Sequence, residues 1–211
     1  MASPRRALIV IDVQQEYFDG PLEVEHPPRE RSLANIGAIV EAADAAGIPV
    51  IAVQHVMGEG APVFVEGTPG YALHPDIEKR LTTDTKRVQK QFGSVFAGTD
   101  VAEWLRERDI DTVTLVGFMT NNCDLATAVE AEGLGIAAEV ISDATGAINL
   151  ANAAGSASAE TVHTVLMTLL HSNFAAVATT KQWIDAVSSG SGLDKSNLVE
   201  SAIAGRAAAT A

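Results

Sequence analysis

The chain is 211 residues long, 47% apolar, and carries a formal net charge of −13, which suits one sizeable α/β domain and is short for two. The acidic balance speaks against a nucleic-acid partner, because a phosphate-binding surface needs lysine and arginine in excess. The single cysteine excludes an internal disulfide, and no apolar run approaches the ~20 residues that span a bilayer; a cytoplasmic protein with no membrane partner is expected.

Ala7–Ile11 is an unbroken apolar run of the kind buried on both faces of a parallel sheet. It is too short for the apolar stretch of a secretory leader, and Asp12 follows at its carboxyl end. Residues 15–31 hold prolines and glycines without a period and read as a loop. A helix is predicted from about Ser32, its N-cap, to a stop at Gly47. The second strand, Pro49–Val53, runs out at Gln54 and His55. Residues 57–75 form a second long loop, followed by a short helical piece over 76–81 and a more polar strand over 85–90, which ends on Lys90.

Thr99 or Asp100 caps the next helix, which holds Val101, Trp104 and Leu105. Thr112–Val116 is the fourth strand and stops at Gly117, and a helical pattern takes over by about Asn122. A fifth strand is predicted over 136–141, a Gly/Ala/Asn-rich loop over 142–158, a helix over 159–171, a sixth strand over 174–178 and a last helix over 180–187. Six strands alternating with helices imply an α/β, doubly wound, Rossmann-like parallel sheet with helices on both faces. The domain is expected to span residues 1–187. A linker, SSGSG, and a flexible or weakly helical tail account for residues 188–211.

Such sheets bind ligands at the carboxyl ends of their strands, and three reactive side chains fall there: Asp12, Lys90 and Cys123. An aspartate just past an apolar strand needs a partner when desolvated, and Lys90 is a candidate. Cys123 lies where a strand has ended and a helix begins, where a helix dipole and unpaired N–H groups favour thiolate. Together they supply a nucleophile, a proton acceptor and a cation. Taken singly, the cysteine reads as well as an inert small hydrophobe, and the aspartate as a turn residue.

Three signatures carry a resemblance. They are Asp12-Val13-Gln14 with Tyr17 and Phe18 after an apolar strand; Lys90 with Ser94, Phe96, Gly98 and Thr99; and Gly117, Thr120 and Cys123. In this order and spacing they resemble the isochorismatase-like cysteine hydrolase superfamily over residues 7–187. The resemblance implies a catalytic triad in which Cys123 attacks a carbonyl carbon, Asp12 serves as general base and then acid, and Lys90 stabilises the charged states. It also implies a cis peptide at Phe118–Met119, with the backbone N–H groups of Met119 and Cys123 forming an oxyanion hole. A homodimer or homotetramer is common in the family.

Metal-dependent relatives carry D-x-H after the second strand, where this chain has His55-Val56-Met57; no metal and no other cofactor are expected. The small-molecule substrate would meet Tyr17, Phe18, His55 and Asn122, although Asn121 and Asn122 also read as helix caps and His55 as an inert strand-end residue. The similarity of residues 70–75 to the family is read as structural. The presence of Cys123 points to an amide, carbamoyl or lactam C–N bond. The alternatives are an isochorismatase-type vinyl-ether hydrolase, whose site can lack the cysteine, and a catalytically idle binding or assembly member of the fold.

Overall fold

The computed structural model describes residues 3–209; Thr210 and Ala211, the end of the predicted tail, lie outside the described residues, as do Met1 and Ala2. Six parallel strands form the sheet: β1 (Arg6–Ile11), β2 (Val50–His55), β3 (Lys86–Lys90), β4 (Thr112–Phe118), β5 (Ala137–Gly146) and β8 (Ala176–Ala178). Their spatial order is β3-β2-β1-β4-β5-β8. The order reverses between β1 and β4, and that reversal opens a crevice at the carboxyl ends of the two strands.

Both faces of the sheet are covered, as the continuous apolar strands require. Ile9 and Ile11 join one core cluster, with Val101 and Leu105 of α4 (Val101–Glu107), Ala128 of α5 (Leu125–Gly133) and Met167 of α6 (Ala159–Leu169). Leu8 and Val10 point the other way, against Ile36, Ile39 and Val40 of α2 (Arg29–Ala45) and Trp183 of α7 (Thr180–Ser189). Gly117 permits β4 to reach β1: its φ is +119°, and a Cβ there would overlap the Ile11 carbonyl.

Several boundaries differ from the sequence expectation. Ser32 does not cap α2, which starts three residues earlier, directly after Pro28; its hydroxyl is buried and donates to Thr145 O at 2.9 Å. The predicted loop 15–31 contains a short helix, α1 (Glu16–Asp19). The loop over 142–158 is largely strand, because β5 runs on to Gly146 and a hairpin of β6 (Leu150–Asn152) and β7 (Gly155–Ala157) follows. Its polar residues are held by partners: Asp143 accepts from the Thr180 amide and hydroxyl, both at 2.7 Å. Beyond α7, α8 (Leu198–Ala208) is capped by Asn197, whose side chain accepts the Glu200 N–H at 2.9 Å.

Candidate active site

Four neighbouring strands each deliver one side chain to the crevice. Lys90 ends β3, His55 ends β2 directly beside it in register, Asp12 follows β1, and Cys123 follows β4. Strands lie ~4.8 Å apart, so β3 is two strands from β1, and the long lysine stem spans β2 to bring its ammonium between the other groups. Lys90 Nζ lies 2.6 Å from Asp12 Oδ2, 3.0 Å from His55 Nδ1 and 3.2 Å from both Cys123 Sγ and Phe92 O. Asp12 is 0% exposed, and Lys90 and Cys123 are each 2% exposed. The structure therefore brings together the three reactive residues read from the sequence, with His55 as a fourth.

Local backbone geometry places these groups. Asp12 has φ +49°, the left-handed region that an aspartate tolerates better than most residues. Gln14, buried beside it, takes the His55 N–H on Oε1 at 2.8 Å and donates to the carbonyls of His55 and Tyr71; it ties the end of β1 to the end of β2. After β4 the Phe118–Met119 peptide is cis, and residues Thr120–Asp124 form a wide turn closed by Asp124 N–H to Met119 O at 3.3 Å. Such π-type turns recur at functional sites. The Lys90 loop folds onto this turn through Thr127, whose hydroxyl donates to Cys123 O and accepts from Val95 N–H.

The electrostatics set a resting state with a neutral thiol. Burial and then the Asp12 carboxylate push the Cys123 thiol well above the ordinary thiol range, and Lys90 offsets only part of this. At 2% exposure, burial outweighs the pull of Lys90 toward thiolate. Burial likewise raises the Asp12 carboxyl against the pull of Lys90. For Lys90 itself burial works against the ammonium, but Asp12 and Cys123 leave it raised overall. Burial and then Lys90 lower His55 to about 4, so its imidazole is neutral and its Nδ1 accepts from the ammonium.

Asp12, His55 and Cys123 each offer one donor atom, and these atoms lie within 4.8 Å of one another. A carboxylate, an imidazole and a sulfur are a donor set that zinc takes, but Lys90 Nζ lies against all three and is the cation of this cluster. Met57, at the position of the relatives' D-x-H histidine, is 41% exposed, and His74 Nδ1 accepts the Asp76 N–H to cap the short helix α3 (Pro75–Glu78). The residues as they stand do not fit a metal.

An aromatic wall closes the site. Tyr17 packs on Phe64 and Phe118 at 5.4 and 5.6 Å between ring centroids, and His55 packs edge-on against Phe64 at 5.2 Å. Phe18 lies behind, against Phe118 and His74. Asn122 is exposed and caps no helix, and Asn121 accepts from Ile148 N–H at 3.4 Å. The capping expectation fails because the wide turn leads into α5 from Asp124, with no side-chain cap.

Sequence reasoning missed a buried polar chain behind the nucleophile. Asp124 accepts from Thr145, whose hydroxyl lies 2.8 Å from that of Thr120, and Thr120 reaches His163 Nδ1 at 3.2 Å. Burial raises Asp124 to about 7, and burial with His26 lowers His163 to about 4. The aspartate directly after Cys123, ahead of the α5 pattern, was the available signal.

The protein is a doubly wound α/β fold with an Asp–Lys–Cys cluster where its parallel sheet reverses, and the comparisons fix its family. The isochorismatase domain model matches residues 6–182, and the chain belongs to the isochorismatase family, a family of hydrolases. A solved structure from Burkholderia xenovorans LB400, provisionally described as an isochorismatase, is 46% identical with a TM-score of 0.96 and full coverage of both chains. An uncharacterised isochorismatase family protein of Bacillus subtilis, YrdC, is 30% identical over 86% of this chain and 95% of its own length. The nicotinamidase/pyrazinamidase of Mycobacterium tuberculosis is 27% identical over 68% of this chain and 88% of its own length. Among the described residues, no helix is long and apolar enough to cross a membrane.

Proposed function

We propose that the protein is a cysteine-dependent hydrolase that cleaves a C–N bond in a small amide, carbamoyl or lactam compound through a thioester on Cys123. The observation that carries this reading is the position of Lys90 Nζ, 2.6 Å from a buried carboxylate and 3.2 Å from a buried sulfur at the sheet's reversal point.

Asp12, whose raised proton affinity suits a base, takes the thiol proton as Sγ bonds to the carbonyl carbon. The resulting oxyanion accepts from the Met119 and Cys123 amides, an arrangement in which losing one donor typically costs about 3–4 kcal/mol of transition-state stabilisation. Protonated Asp12 then gives its proton to the leaving nitrogen as the C–N bond breaks. Water, deprotonated by Asp12, attacks the thioester, and collapse releases the acid and restores the thiol. Throughout, the Lys90 ammonium keeps negative charge on Asp12 or sulfur compensated.

The closed wall of Tyr17, Phe64 and Phe118 favours a small planar compound. With the three reactive groups at 0–2% exposure, entry requires the loop bearing Phe64 to move. The test is release of ammonia or amine from a panel of small amides, carbamoyl compounds and lactams. Wild type is expected to turn over at least one, with Asp12→Asn, Lys90→Met and Cys123→Ala each slower by orders of magnitude. Hydrolysis that survives Cys123→Ala would sink the thioester route.

A further inference from the structure

The turn that carries the nucleophile is not held by its own helix. Residues Thr120–Asp124 lead into α5 with no side-chain cap at either junction, and Asn122, directly before Cys123, is exposed. Thr120, Cys123 and Asp124 are buried instead, at 0–2% exposure. Their lateral support comes from Thr145 on β5. Its hydroxyl donates to Asp124 Oδ2 and lies 2.8 Å from Thr120 Oγ1, so one side chain reaches the first and last residues of the turn. Thr120 Oγ1 also lies 3.2 Å from His163 Nδ1, which ties the same cluster to α6.

A break in the sheet register puts Thr145 there. Between the Leu115–Val140 and Gly117–Thr145 pairs, β4 advances by two residues and β5 by five; unbroken pairing would set Ser142 opposite Gly117. Irregularities of this kind re-aim side chains and gather next to active sites. The cluster is also a costly way to fill a core. Thr120, Asp124 and Thr145 are each fully buried, and Asp124 Oδ1 has no hydrogen-bond partner among the described residues. Apolar side chains would occupy the space without that desolvation cost. What buried hydrogen bonds add over apolar packing is direction, which fixes a single arrangement.

We propose that Thr145 is a positioning residue for the nucleophile: its one hydroxyl clamps both ends of the Thr120–Asp124 turn, and His163 anchors the clamp on α6, so that Cys123 Sγ is held 3.2 Å from Lys90 Nζ. The proposal rests on the reading of Cys123 as the nucleophile. Thr145 touches neither the sulfur nor the substrate and acts through the turn alone.

The chain's single cysteine gives one Cβ resonance when cysteine labelled with carbon-13 is incorporated, and this reports the position of Cys123 without any substrate. Wild type is expected to show one sharp resonance. Thr145→Val, which keeps the shape and removes the hydroxyl, should move or split it. The same variant should lower kcat on an amide from the panel about 100-fold, with KM within about twofold. Thr145→Ser should restore both. Thr120→Val releases one end of the clamp while Thr145 stays bonded to Asp124, and it decides the matter if Thr145→Val does not fold; it too should move or split the resonance. A side chain that only stabilises the fold would lower the melting temperature and leave the resonance and kcat as in wild type. That result in Thr145→Val and Thr120→Val, or a Thr145→Ser no better than Thr145→Val, would overturn the assignment. Absence of wild-type turnover on the whole panel would count against the hydrolase reading, and the resonance would still test the clamp.

Discussion

Replacing Lys90 by methionine probes the ion pair at the centre of the site. The ammonium lies 2.6 Å from Asp12 Oδ2, with both side chains at 0% exposure. Methionine keeps most of the apolar stem, so the packing loss is small, and the dominant effect is a buried carboxylate without its counter-charge. Removing one partner of such a pair costs about 3–5 kcal/mol, a large part of the ~5–15 kcal/mol that holds a typical domain. Asp12→Asn leaves the converse defect, a buried ammonium. The double variant removes both charges and should lie at least about 2 kcal/mol above the sum of the single losses. Urea unfolding of the four proteins at pH 7 measures this. A Lys90→Met loss below about 1 kcal/mol, or additivity within about 0.5 kcal/mol, would refute the buried pair.

Asp124 gives a pH test. Its folded-state value of about 7 lies above the ordinary 3.8 because of burial, so the folded chain holds a proton that the unfolded chain has released. The stabilising contribution is complete below the unfolded value and is lost as pH rises to about 7. At about 1.4 kcal/mol per tenfold in proton affinity, wild-type stability relative to Asp124→Asn should fall by about 4 kcal/mol between pH 4 and pH 8; a difference independent of pH would contradict the assignment. Gly117→Ala combines a φ of +119° with overlap on the Ile11 carbonyl and should cost about 3 kcal/mol. That corresponds to roughly 6–12 °C in melting temperature for a chain of this size, and a shift under about 2 °C would mean that β4 does not approach β1 so closely.

The fold was legible where the sequence repeats one physical pattern. Ala7–Ile11 and Val50–Val53 are continuous apolar runs and Thr112–Val116 is rich in β-branched residues, and a sheet covered on both faces buries them. Asp12, Lys90 and Cys123 were legible because each falls at or beyond the carboxyl end of a predicted strand, the edge where such sheets bind ligands. The polar stretch from Ser142 to Gly146 was not, because its residues are satisfied by distant partners: Asp143 by α7 and Thr145 by Asp124. Ser32 misled for the same reason, since its hydroxyl serves β5 rather than its own helix. The thiol's proton affinity also escaped the sequence, because it depends on how completely the folded core buries Cys123.

The central claim is a covalent acyl group on one sulfur. Acid quenching of the enzyme during turnover of an amide from the panel, followed by intact-protein mass spectrometry, measures it directly. A mass increase equal to the acyl portion is expected, located on Cys123, released by hydroxylamine and absent from Cys123→Ala. Turnover at full rate with no adduct at any quench time, or an adduct that persists in Cys123→Ala, would contradict it.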